Sequence, residues 1–181
     1  MKNVLLLMFN NVEELEAIAP VDILRRAGAN VVVCAVGESL SIKGRSNIEI
    51  KCDALFNDVK DKFFDAVVVS GGAGVNDIVK NSDLLNFIAK HNQQKAILGA
   101  ICAAPVVLKE AGVLNGKECT AHTSRVSELE NCNISKAVVC DENIITSRGA
   151  GTAIEFALAL TEKIFSKEIA KEVASSICFM R

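Results

Sequence analysis

A thiol stands at the end of an apolar run in Ala96-Ile-Leu-Gly-Ala-Ile-Cys102-Ala-Ala-Pro105, where a strand should give way to a helix. Ala96 to Ile101 contain no alternating polar residue, the pattern of a strand covered on both faces. Beyond it Ala103, Ala104, Val106, Val107 and Leu108 continue at helical spacing. Pro105 is tolerated in a first helical turn, where its missing N–H costs nothing, and Gly112 supplies a stop. Cys102 therefore falls on the turn, facing unpaired N–H groups and the positive end of a helix dipole, which lower a thiol's pKa and favour the nucleophilic thiolate. Residue type alone leaves a second reading open, that of a small inert core cysteine.

Three further places hold residues suited to work beside a thiolate. Ser70-Gly71-Gly72-Ala73-Gly74 follows Asp65 to Val69 (DAVVV), and glycines directly after a parallel strand let backbone N–H groups approach a ligand as an anion nest or oxyanion hole. Glu16 lies near Leu15 and Ala19 on the edge of a helical apolar stripe, so its carboxyl is expected to point inward toward the strand tops. His122 follows a strand expected over Gly116 to Thr120, and ligands in open parallel sheets gather at the carboxyl ends of strands.

The elements that must position these residues alternate strand with helix. Asn3 to Phe9, Asn30 to Val36, Asp65 to Val69 and Ala96 to Ile101 read as buried strands. Asn11 with Glu14 resembles a capping box for a helix running to about Ala27 and kinked by Pro20, with Val12, Leu15, Ile18, Ala19 and Ile23 available for its inner face. Glu13 and Glu14 then complement the helix dipole, and Asp22 with Arg25 and Arg26 reads as a solvated charge group. Leu40 to Ile42 and Ile48 to Ile50 form a short antiparallel excursion with Arg45 near its tip. Ser82 to His91 is a helix, Ala137 to Cys140 and Asn143 to Thr146 a hairpin, and two helices follow from about Ala153 to Phe165 and Lys167 to Ser176. The pattern predicts an α/β sandwich around a mostly parallel sheet.

With 181 residues, half of them hydrophobic, the chain suits one domain over 1–181. No apolar run is long enough to span a bilayer, and the N-terminal run is too short for a signal peptide, so no membrane partner and no export are expected. The seven cysteines (34, 52, 102, 119, 132, 140 and 178) lack any C-x-x-C pair, which suggests neither a disulfide framework nor a zinc site and fits a reducing cytoplasm. A net charge of −2, without Trp, Tyr or a basic cluster, argues against nucleic acid. The two histidines, 91 and 122, show no ligand spacing, so no metal site is expected.

Taken together, E-E-L-E-A around Glu16, P-V-D-I-L-R-R-A-G from Pro20 to Gly28, Gly71-Gly72, A-I-C-A-A-P around Cys102 and T-S-R-G-A-G-T from Thr146 to Thr152 resemble the DJ-1/ThiJ/PfpI superfamily, specifically its DJ-1 branch, over essentially the whole length. The resemblance implies a flavodoxin-like sandwich with Cys102 as nucleophile-elbow cysteine and Glu16 as its partner acid. Gly71, Gly72 and Ala103 are implied as backbone donors and His122 as a nearby histidine. Arg148 and Gly149 become pocket candidates, and Asp22, Arg26 and Arg45 candidates for a homodimer interface. It also implies a cofactor-free, glutathione-independent glyoxalase or deglycase acting on dicarbonyls such as methylglyoxal, with oxidation-sensitive stress sensing or chaperone-like protection as the alternative. Protease-type relatives carry a histidine directly after the cysteine; Ala103 stands there instead and removes the base that a peptidase would need. Ser70 and Ala150 stand where prolines are common. If Glu16 lies against Cys102, the two cannot both ionise cheaply and should share one proton, the helix dipole favouring the negative charge on sulfur.

Overall fold

The computed structural model describes residues 1–179. Strands β1 (Asn3–Met8), β2 (Asn30–Ala35), β5 (Ala54–Leu55), β6 (Ala66–Val69), β7 (Ile97–Ile101), β8 (Val138–Asp141) and β9 (Ile144–Ser147) form a seven-stranded sheet in the order β5-β2-β1-β6-β7-β9-β8. All its pairings are parallel except β8 with β9. A separate antiparallel hairpin joins β3 (Ser41–Lys43) to β4 (Glu49–Lys51). The helices are α1 (Glu14–Arg26), α2 (Phe56–Val59), α3 (Val75–Ile78), α4 (Ser82–Gln93), α5 (Pro105–Glu110), α6 (Ala153–Ile164) and α7 (Lys167–Ser176). The central strands are fully buried over Val4 to Met8, Ala66 to Val69 and Leu98 to Ile101, as continuous apolar runs require when helices cover both faces. Helices α1, α6 and α7 pack together in one layer, while α4 and α5 contact each other in the second. The predicted mixed α/β sandwich with a mostly parallel sheet is the observed fold, and its elements match the expected ones to within a few residues in most places.

Chain order explains where a site can form. From β1 the chain steps outward to β2, then crosses back so that β6 and β7 build on β1's other side. The order reverses at β1, where ligands gather in such sheets, and the loops leaving β1 and β6 are joined there by a Val12–Gly72 bridge and by Glu13 N–H to Gly71 O at 3.0 Å. Gly99 lets a helix close over this region. A Cβ there would stand 3.0 Å from Leu160 and 3.1 Å from Phe156 of α6, tighter than ordinary packing allows.

Four expectations are corrected. Asn11 does not cap α1. It adopts a left-handed conformation, Glu13 occupies the cap position without a side-chain bond, and Glu14 turns away to accept from Ser46 N–H at 2.8 Å, beneath the β3–β4 hairpin. Leu15 and Ile18 are not on the inner face but 63% and 45% exposed, and the buried stripe of α1 runs through Glu16, Ala17, Pro20, Val21, Ile23 and Leu24. Arg25 leaves the expected group to bond Val31 O and Asp53, so that only Asp22 and Arg26 pair, at 2.9 Å. Residues 116–120 form only an isolated bridge at Cys119 and no strand, because the N–H groups on either side of it go to side chains: Glu118 N–H to Asp141 and Thr120 N–H to Thr146 Oγ1. Among the described residues no helix is long and apolar enough to cross a membrane.

Candidate active site

Cys102 follows β7 with φ +65°, a left-handed conformation that residues with a side chain seldom adopt and that a strand-to-helix elbow imposes. Its neighbours hold it there: its N–H donates to Ser147 O at 2.8 Å, and its carbonyl accepts from His122 N–H at 2.8 Å. Pro105 opens α5 at the first position, as its ring permits. The sharp turn lifts the half-buried thiol above the strand ends, under the backbone N–H groups of Gly72 and Ala103.

Glu16 enters from the first turn of α1 and is 1% exposed. Pro20, four residues on, cannot donate to the Glu16 carbonyl, so the helical ladder is interrupted at the turn that carries the acid. The carboxyl reaches the Cys102 side chain and receives the N–H groups of Gly71 and Ala150. Its Oε2 is shut away from solvent without a conventional hydrogen-bond partner. Only glycine fits at 71, because a Cβ would press on Glu16 Oε2 and stand 2.6 Å from the Cys102 Cβ. Where a proline would be mute, Ala150 supplies an N–H to the acid.

Burial pushes Glu16 up to about 7, against the Cys102, Gly71 and Ala150 bonds that favour its charged form, with Glu13 adding repulsion. Burial, and then the Glu16 carboxylate, push the thiol up to about 12, against the Gly72 and Ala103 N–H groups. This corrects the expectation of a lowered thiol pKa. The helix behind the elbow is only α5, six residues long, and its dipole is outweighed by desolvation and by the adjacent acid. The pair gives up its first proton near neutrality and retains the second, which lies between carboxyl and sulfur.

The other predicted residues divide. Gly72 and Ala103 face the thiol as expected, whereas Gly71 serves Glu16. Gly149 borders the group, its side-chain position 3.6 Å from Glu16 Oε1 and 4.0 Å from Cys102 Sγ. His122 is exposed at the rim, its Nδ1 2.8 Å from Ser124 Oγ; its ring borders the same Gly149 position as the acid and the thiol, Cδ2 lying 3.8 Å from it, and its backbone N–H holds the Cys102 carbonyl. Arg148 points elsewhere, donating to Ile134 O at 3.0 Å. Asp22 and Arg26 lie on the outer side of α1, and Arg45 pairs with Glu13 at 2.9 Å, all apart from the thiol. Ala150 was missed as a donor, since only a folded loop brings that N–H to the acid. A cavity of about 580 Å³ between β8, α6 and α7 touches none of Glu16, Cys102 and His122.

The DJ-1/PfpI family model matches residues 2–163. The chain belongs to that family. It is 38% identical to Protein dj-1beta of Drosophila melanogaster over 181 residues, covering 97% of this chain and 96% of the relative. The crystal structure of that Drosophila protein superposes with a TM-score of 0.96 over 99% of both chains. Protein DJ-1 homolog A of Arabidopsis thaliana is 41% identical over 91% of this chain, which spans only 43% of that relative's length; for a second Arabidopsis relative, Protein DJ-1 homolog B, the share is 36%. The family includes enzymes: the Glutathione-independent glyoxalase DJR-1.2 of Caenorhabditis elegans is 29% identical over 98% of this chain, and an Isonitrile hydratase of Pseudomonas putida is 27% identical over 92%.

Proposed function

We propose that this DJ-1/PfpI protein is a cysteine-dependent, glutathione-independent glyoxalase acting on small α-oxoaldehydes such as methylglyoxal. The observation that carries the reading is the apposition of a half-buried elbow thiol to a buried carboxyl whose pKa lies near 7, where a general base works best. The C. elegans glyoxalase supports it. Sulfur attacks the aldehyde carbon as the proton it shares with Glu16 passes by way of the carboxyl to the carbonyl oxygen, whose developing charge is held beneath the N–H groups of Gly72 and Ala103, leaving a hemithioacetal and an ionised Glu16. Glu16 removes the hydrogen from that carbon as a proton, leaving an enediol, and returns it to the neighbouring carbon. The aldehyde carbon is thereby oxidised to a thioester while the ketone is reduced to an alcohol, and water releases the 2-hydroxy acid and the thiol. The same adduct chemistry serves a deglycase, in which the dicarbonyl arrives attached to an amine or thiol. Purified protein supplied with methylglyoxal alone is expected to form lactate without glutathione; inactivity toward every α-oxoaldehyde offered would overturn the proposal.

The same pair supports a second reading, oxidation of Cys102 to a sulfinate. The buried Glu16 carboxyl, which reaches the Cys102 side chain and has one oxygen without a hydrogen-bond partner, can donate to a sulfinate oxygen when protonated, and a Toxoplasma gondii relative of similar fold is described as oxidised DJ-1. Limiting peroxide is expected to produce sulfinate at Cys102 ahead of any modification of the exposed Cys140 and Cys178. Mass spectra showing those two modified while Cys102 stays reduced would remove this reading.

The assembly we propose is a homodimer through the outer side of α1 and the β3–β4 hairpin. Leu15, Ile18 and Ile48 are 63%, 45% and 56% exposed there, beside the charged groups Asp22–Arg26 and Glu13–Arg45. Sedimentation at micromolar concentration should give twice the 19.3 kDa chain mass, and Leu15→Glu with Ile18→Glu should give the monomer. A wild-type monomer at that concentration would exclude the assembly. Seven free cysteines fit a reducing cytoplasm as the place of action.

A further inference from the structure

Cys119 and Cys132 are brought together by the backbone, outside the catalytic group. Cys119 N–H donates to Asn131 O at 3.2 Å and Asn133 N–H donates to Cys119 O at 2.8 Å. These are the two bonds of an isolated parallel bridge in which the two cysteines stand directly opposite one another. Residues so opposed lie about 5 Å apart and send their side chains to the same face, inside the roughly 4.4–6.8 Å range of Cα separations that a disulfide spans. The two thiols interact across the bridge, and Cys119 also approaches Glu130 O at 3.6 Å. Burial differs across the pair: Cys119 is 1% exposed, while Cys132 is only partly buried and open to a small reagent.

The segment between them bears on the site. Thr120 N–H donates to Thr146 Oγ1 of β9 and its hydroxyl to Lys136 O, while His122 N–H holds the Cys102 carbonyl. The ends of the 120–131 loop are joined at the bridge by the two backbone bonds and by side-chain bonds such as Asn133 Nδ2 to Glu118 at 3.0 Å, with no covalent link.

We propose that Cys119 and Cys132 are a redox-active dithiol that closes to a reversible disulfide in the presence of a hydroperoxide, stapling the loop that seats His122 against the elbow. Cys132 sulfur attacks the distal peroxide oxygen: the S–O bond forms, the O–O bond breaks, and the departing oxygen leaves as water or alcohol with the thiol's proton. Cys119 sulfur then attacks Cys132 sulfur, forming S–S and expelling the oxygen, which takes the second thiol's proton and leaves as water. Two thiols are oxidised and one peroxide is reduced. A reducing thiol reverses the bond. The inference rests on backbone pairing and is independent of the chemistry proposed for Cys102.

Trypsin separates the partners, because Arg125 lies between them, and yields peptides 118–125 and 126–136 with one cysteine each. After limiting hydrogen peroxide and alkylation of remaining thiols, the wild-type digest should contain these two peptides linked, minus two hydrogens. The link should vanish on reduction and be absent from Cys132→Ser. In the same sample the intact wild type should gain about 5 °C or more in Tm, reversed by reductant, as expected for closing a loop of this length. That arm needs no variant to fold. Recovery of both peptides alkylated and unlinked, or of Cys132 as sulfinate with Cys119 free, would overturn the proposal. The state of Cys102 is read separately, from its own peptide.

Discussion

Replacing Cys102 by serine is expected to reduce methylglyoxal turnover at least about a hundredfold in kcat, toward the background of the uncatalysed reaction. No other group in the site can form the adduct. The His122 ring is held at the rim by Ser124 Oγ, and Arg148 is a cation bonded to Ile134 O, so neither takes the place of the elbow sulfur. A serine hydroxyl beside the same carboxyl carries far less anion than a thiol at neutral pH. The fold should tolerate the exchange, since the backbone bonds of residue 102 to Ser147 and His122 do not involve the sulfur. Steady-state lactate formation with the wild type and Cys102→Ser, accompanied by thermal melts, checks the result; Cys140→Ser, on the distant edge strand β8, is the control for thiol loss elsewhere. Near-full turnover by a well-folded Cys102→Ser would show that the covalent mechanism is wrong.

The elbow was legible in the sequence because it is a local affair. An unbroken apolar strand ending in Cys-Ala-Ala-Pro leaves few conformations other than a sharp turn into a helix, and the structure pays for that turn with a left-handed Cys102. The inward aim of Glu16 was legible too, but for a different reason from the one the pattern suggested. Apolar spacing put Leu15 and Ile18 on the inner stripe, whereas the helix is rotated so that the acid is buried and those two side chains face outward. Periodicity cannot detect such a rotation when an apolar patch lies on the outer side as well. The exchange of roles between Gly71 and Ala150, both serving the acid, was not legible, since it depends on loops from β6 and β9 meeting above the sheet. Residues 116–120 (GKECT) carry little strand propensity beyond Cys119 and Thr120, and side-chain acceptors from β8 and β9 take the N–H groups of Glu118 and Thr120, so the pairing stops at one bridge. The opposition of Cys119 and Cys132 follows from that same tertiary arrangement.

Glu16→Gln is expected to separate catalysis from stability, lowering one and raising the other. Glutamine keeps the shape of the side chain and can still accept from the Gly71 and Ala150 N–H groups, but it cannot carry a proton between substrate carbons. Turnover should fall at least about a hundredfold. Stability should move the opposite way with a definite pH signature. The Glu16 pKa is raised from 4.5 to about 7 by burial. Between those values the folded state binds more protons than the unfolded one, so the stability that the neutral carboxyl contributes is fully present below about pH 4.5 and is lost as pH rises through about 7. Ionising this nearly inaccessible carboxyl costs the fold an amount on the order of 3 kcal/mol at most, a cost that glutamine escapes. Tm values of wild type and Glu16→Gln should therefore lie close together near pH 5 and diverge in favour of the variant by pH 8, while wild-type kcat/KM rises over the same interval as the pair loses its first proton. A Glu16→Gln protein that keeps wild-type turnover would deny the acid its part in the chemistry. One whose Tm advantage does not grow between pH 5 and pH 8 would show that the carboxyl is already ionised at the lower pH, contrary to its burial.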